Sequence, residues 1–131
     1  MKFMRVRSGL DPKGIPAALD RLEAVALGKG IAASEEEITL AAHLARKAFS
    51  QKKNIARQMR FEFLLWLCGK TDLRGAMEAG APRGDEFFVV AFSDADEEAV
   101  LRALKAEKLP LGLKKEGEPL ALERISLSRI K

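Results

Sequence analysis

One cysteine, one histidine and a run of bases are the side chains of this 131-residue chain that could do chemistry. A cysteine nucleophile needs a neighbouring base to draw off its proton. Cys68 closes an apolar run, Phe61 to Cys68, where burial disfavours the thiolate, and His43 stands on the polar face of a different expected helix. They read as a packing residue and a surface side chain. Zinc would need several His, Cys or carboxylate ligands at set spacing, and one histidine and one cysteine on separate segments do not supply them. Gly69-Lys70-Thr71 has the tail of a phosphate-binding Walker loop without its head, because the position five before Gly69 is Leu64 and a helix leads in where a strand should. Asp94, Asp96, Glu97 and Glu98 gather where a helix begins, so dipole and capping chemistry account for them better than a divalent cation does. No enzymatic activity, cofactor or metal is expected, and an enzyme built on Cys68 is the least favoured alternative.

The bases say more. Residues 41 to 80 hold eight (Arg46, Lys47, Lys52, Lys53, Arg57, Arg60, Lys70, Arg74) against three acids (Glu62, Asp72, Glu78), net +5, while the rest of the chain sums to −1. Lys53, Arg57 and Arg60 fall at i, i+4 and i+7, which on a helix makes one stripe. Such a stripe suits a polyanion and suits a solvated face as well. Stacking aromatics on a sheet would also point to RNA, but Phe87 and Phe88 lie in an apolar run with no interleaved base, as core residues do.

These residues need elements to hold them. Lys2 to Arg7 alternates as a half-buried strand, with Met4 and Val6 on the inner face. Pro16 opens a helix over Ala17 to Leu27, with Gly28 as its stop. Ser34 and Glu37 form a capping box for a long helix that puts Ile38, Ala41, Ala42, Ala45, Ala48 and Phe49 inside and His43, Arg46, Lys47 and Ser50 outside. Asn54 to Leu67 reads as a second helix ended by Gly69, and Thr71 caps a third over Asp72 to Ala79, closed by Gly80. Glu86 to Phe92 is a central strand. Ser93 to Glu98 opens a helix to about Glu107, Lys114 to Pro119 is a polar turn, and Leu120 to Ile130 reads as a last strand. The expected fold is α+β, one domain over residues 1–131 with a small sheet packed against several helices. A lone thiol, no apolar run long enough for a membrane and no signal-peptide pattern at the start suggest a cytoplasmic protein. Much Lys, Arg and Glu with no Tyr leans towards a thermophile.

Lys53-Asn54-Ile55-Ala56-Arg57, then Phe61-Glu62-Phe63-Leu64-Leu65-Trp66-Leu67-Cys68-Gly69, then Asp72-Leu73-Arg74-Gly75-Ala76-Met77, with a glycine before a Phe/Val strand, resemble the archaeal Cgi-type subunit of the KEOPS tRNA-modification complex. In that family a helix with a mid-helix glutamate, here Glu62, leads to a small-residue turn and a short Ile-x-x-Ala-Ile helix, matched by Leu73, Ala76 and Met77. The resemblance spans about residues 34 to 93, including Glu37 to Ala45. Many relatives carry Ser-Gly-x-x-Gln-Ile at the turn, where this chain has Cys68-Gly69-Lys70-Thr71-Asp72-Leu73. The resemblance implies a non-catalytic subunit that binds the complex's atypical kinase/ATPase and recruits tRNA by its 3′ CCA end, for threonylcarbamoylation of the adenosine beside the anticodon. On that reading Lys53, Asn54, Arg57, Arg60, Lys70 and Arg74 frame the tRNA contact, the bases on phosphates and Asn54 on a base or ribose edge. The kinase needs an apolar patch, for which the candidates are Leu109, Leu111 and Leu113 in a Pro/Gly loop and the outer face of Leu101 to Leu104. A generic basic RNA-binding or protein-interaction module is the alternative.

Overall fold

Alternation in the first residues makes Lys2–Ser8 strand β1, with Met4, Val6 and Ser8 buried and Arg7 exposed. In this computed structural model, which describes residues 1–28, 30–82 and 84–129, the chain is α+β, with six α-helices and a four-stranded antiparallel sheet among those residues. It divides into two compact units, Met1–Lys29 with Ala81–Leu111, and Gly30–Gly80 with Gly112–Lys131.

The first unit holds the sheet. After a 3-10 turn at Pro12–Gly14, helix α1 (Ile15–Arg21) leads to strand β2 (Ala24–Leu27). Strand β3 (Glu86–Ala91), helix α5 (Glu97–Ala103) and strand β4 (Ala106–Leu109) complete it, in the order β2-β3-β1-β4. This is the split β-α-β arrangement, with residues 30–80 inserted between β2 and β3. One sheet face, carrying Met4, Val6, Ala24, Ala26, Phe87, Val89 and Ala91, packs against Ala18 and Leu22 and against Val100 and Leu104 of the α5 segment. Val25, Leu27, Phe88 and Val90 on the other face are also buried, which is why β3, an interior strand buried on both faces, reads as unbroken Phe/Val. Phe87 and Phe88 are core residues, so the sheet offers no stacking platform there. Arg5 and Arg7 bracket Glu86 at 3.1 and 2.5 Å, and Arg7 also reaches Glu107 at 3.1 Å.

Two strands correct the sequence reading. The helix expected over Ala17 to Leu27 ends at Arg21, and the one expected to reach Glu107 ends at Ala103. Each is followed by a residue in the left-handed region, Glu23 at φ 51 and Lys105 at φ 49, which turns the chain into a four-residue strand. Glycine is the usual signal for that turn, and neither position has one. Asp96, accepting from the Ala99 amide at 2.8 Å, caps α5.

The second unit is helical: α2 (Glu35–Ser50), α3 (Met59–Cys68), α4 (Leu73–Gly80) and α6 (Pro119–Ser126). Ser34 caps α2 as expected, accepting from the Glu37 amide at 3.2 Å while its hydroxyl donates to the Glu37 carboxylate at 2.8 Å. Asp72, not Thr71, caps α4, accepting from the Gly75 amide at 2.7 Å. Glu62 to Leu67 are all buried, so α3 is the core helix of this unit, and Gly69 at φ 65 ends it. The expected last strand is instead α6. Pro119 starts it and Ile125 is fully buried, so the period-2 pairs at 120/122 and 125/127 were a coincidence of helical spacing. Residue 130, within that expected strand, lies outside the described residues.

Candidate nucleic-acid interface

The exposed face of α2 carries His43, Arg46, Lys47 and Ser50, as the periodicity predicts. The chain leaves α2 through Gln51, whose amide donates to the Lys47 carbonyl, and Lys52, held at φ 56. Lys53 follows, its amide on the Ala48 carbonyl at 2.8 Å, so the turn folds back on the last turn of the helix. Lys52, Lys53 and Arg57 are exposed. None of these five bases lies within ion-pair distance of a carboxylate among the described residues. Between Lys53 and Arg57 stands Ile55, 50% exposed.

Residues 54–58 are not helical, against the expectation of a helix from Asn54. The reason is Glu62. Its side chain is fully buried and its Oε1 accepts from the Ile55 and Ala56 amides, both at 2.9 Å. Its Oε2 accepts from Trp66 Nε1 at 3.2 Å and from Arg129 Nη1 at 2.5 Å, with the Arg129 guanidinium 4.3 Å from the centre of a Trp66 ring. A buried carboxylate must find such donors, and two are loop amides six and seven positions earlier, which its side chain reaches only because the chain folds back ahead of α3. Asn54 Nδ2 donates to the Ala56 carbonyl at 2.8 Å, so this side chain shapes the loop rather than presenting that donor to a base.

The five bases and one amide expected to frame one contact are therefore redistributed. Lys53, Asn54 and Arg57 stay together before α3, while Lys70 and Arg74 lie beyond its other end. Ten helical residues separate the groups by about 15 Å along the axis. Arg74 also pairs with Glu78 at 3.5 Å. Arg60 is withdrawn: it is 7% exposed, its guanidinium lies 4.3 Å from the Phe61 ring centre, and its Nε donates to Gln58 at 2.9 Å. Arg46, Lys47 and Lys52 join the group in its place. The charge count included them, and the turn that puts the Lys53 amide on the Ala48 carbonyl keeps Lys53 at the end of α2 that carries Arg46 and Lys47.

Of the apolar candidates, Leu104 is withdrawn, being fully buried in the first unit's core, and Leu101 packs against that core. Leu109, Leu111 and Leu113 are half-buried. The large apolar side chains most exposed among the described residues are Leu120 at 79%, Ile55, Met77 at 49% and Leu127 at 45%, all in the helical unit. Sequence reading missed Leu120 and Leu127 because it made their segment a strand.

Cys68 is half-buried, its Sγ 3.8 Å from the Ala76 carbonyl, and burial pushes its thiol up while Arg124 and Lys70 pull it down. His43 lies on α2, well away in sequence and on the solvent side. Among the described residues no three His, Cys, Asp or Glu side chains gather as a metal site requires, and no helix is long and apolar enough to cross a membrane. No protein-family model matches the chain, and no curated protein matches it.

Proposed function

We propose that this chain is a non-catalytic, cytoplasmic subunit of the KEOPS type, which holds tRNA by its single-stranded 3′ CCA end and docks on the complex's kinase/ATPase. The observation that carries the tRNA reading is the set of exposed bases Arg46, Lys47, Lys52, Lys53 and Arg57 on the last turn of α2 and the segment after it, with an exposed Ile55 in a loop whose backbone is tied down. Bases without acidic partners favour phosphate, and an apolar side chain among them suits the face of an unstacked base. The resemblance over residues 34 to 93 names the RNA and the partner.

Gel shifts with tRNA carrying and lacking its CCA end test this. Preference for the intact end, lost in Lys53→Gln/Arg57→Gln, is the expected result, and equal binding to both leaves a generic basic surface. Exposed Met77, Leu120 and Leu127 favour a second, compatible reading, a protein-interaction module. Co-purification with the kinase subunit, weakened by Met77→Glu but not by Leu111→Glu, would assign the docking surface to the helices.

A further inference from the structure

Glu62 joins two stretches of chain far apart in sequence: the basic loop through the Ile55 and Ala56 amides, and the last described turn through Arg129, 67 positions on. We propose that Arg129 is a positioning residue for the basic loop, acting through the shared Glu62 carboxylate and the Trp66 ring. This deepens the tRNA reading and rests on it only for the loop's ligand.

Each of the two carboxylate oxygens has a fixed task. Oε1 receives two loop amides and Oε2 receives Trp66 and Arg129. Without Arg129, Oε2 would keep only the longer Trp66 bond at 3.2 Å and the carboxylate would be held more loosely. The Arg129 contact on Oε2, with its guanidinium lying over Trp66, holds Oε1 turned towards the loop. Arg129 has little else to do. Its Nε and Nη2 and the Ser128 hydroxyl are buried with no acceptor among the described residues, so the turn is gripped through Glu62 and Trp66. Leaving those donors unmatched costs stability, and the Arg129 side chain is held by its Glu62 and Trp66 contacts alone among the described residues. Arg129 has 15% of its side chain exposed, so it acts on the loop from inside and is not part of the set of bases facing solvent.

The test is amide hydrogen exchange on the full chain, with Arg129→Met and Arg129→Lys. Methionine keeps an apolar chain over Trp66 and removes the grip on Glu62. Lysine keeps the charge without the planar fork. In Arg129→Met the Ile55 and Ala56 amides should exchange at least about tenfold faster while Ile38 and Leu65 stay within about threefold, because a local opening speeds only the amides it frees. Arg129→Lys should fall between it and wild type. Uniform acceleration of loop and core amides, or none at Ile55 and Ala56, overturns the proposal.

A labelled single-stranded RNA ending in CCA supplies the functional arm. Its affinity should follow the exchange rate of the loop amides across the three proteins. Affinity that follows the charge at position 129 instead, with lysine equal to wild type despite fast loop exchange, overturns the positioning role. If wild type ignores the RNA, the tRNA reading fails and the exchange data alone decide this one.

Discussion

Glu62→Gln is the substitution whose cost the geometry allows to be worked through. The amide is the same shape, so packing is unchanged and only the hydrogen-bond pattern is altered. With its oxygen facing the Ile55 and Ala56 amides, the new NH2 sits where Oε2 was, against Trp66 Nε1 at 3.2 Å and Arg129 Nη1 at 2.5 Å. Donors then face donors. Flipped, it confronts the two backbone amides instead, so no rotamer keeps all four partners. Removing one member of a buried ion pair costs about 3–5 kcal/mol. The 15% exposure of Arg129 lets water take up part of that, which puts the expected loss near the lower end, about 3 kcal/mol. For a chain of this length that is a drop in melting temperature of about 10 °C. Urea titration followed by circular dichroism should show the midpoint falling at unchanged slope. Glu78→Gln is the control, since its pair with Arg74 is exposed on both sides and should matter by less than about 0.5 kcal/mol. A Glu62→Gln protein within about 1 kcal/mol of wild type would refute the view that this carboxylate is a hub engaged by all four donors.

Other outcomes follow from single sites. Gly28→Ala puts a Cβ 2.7 Å from the Ala81 carbonyl oxygen, a backbone atom that cannot swing aside, and should cost about 1–3 kcal/mol in a thermal melt. Cys68 should alkylate with iodoacetamide at pH 8 more slowly than a free thiol, because burial raises it above the ordinary thiol range. The same shift makes its contribution to stability full below the unfolded thiol's pKa and lost as pH rises through the folded one, so Cys68→Ala should flatten stability against pH on the alkaline side. Lys53→Gln and Arg57→Gln should each reduce the slope of log affinity against log salt for single-stranded RNA by about 0.7, and Arg60→Gln, buried in the wild type, should leave that slope unchanged.

What the sequence by itself determined was whatever local chemistry dictates. The capping box at Ser34 and Glu37, the alternation of β1, the unbroken apolar run of β3 and the stop at Gly69 are interactions among residues a few positions apart, so they are legible without the fold. The α+β class follows from them, and the concentration of bases in residues 41 to 80 is a plain count of the sequence. Strands β2 and β4 were not legible, since four residues carry no period and the turns before them use Glu23 and Lys105 where glycine would have marked them. α6 was misread because Leu120, Leu122, Ile125 and Leu127 satisfy both periods, and only burial of Ile125 separates them. The site depended on tertiary structure most of all. Lys53, Arg57 and Arg60 make a stripe only if residues 54–58 are helical, and a buried Glu62, completed by Arg129 from the far end of the described chain, draws the Ile55 and Ala56 amides into a loop instead. A carboxylate with no exposure must collect donors wherever the fold brings them, and that requirement, invisible in local sequence, decides the shape of the basic loop.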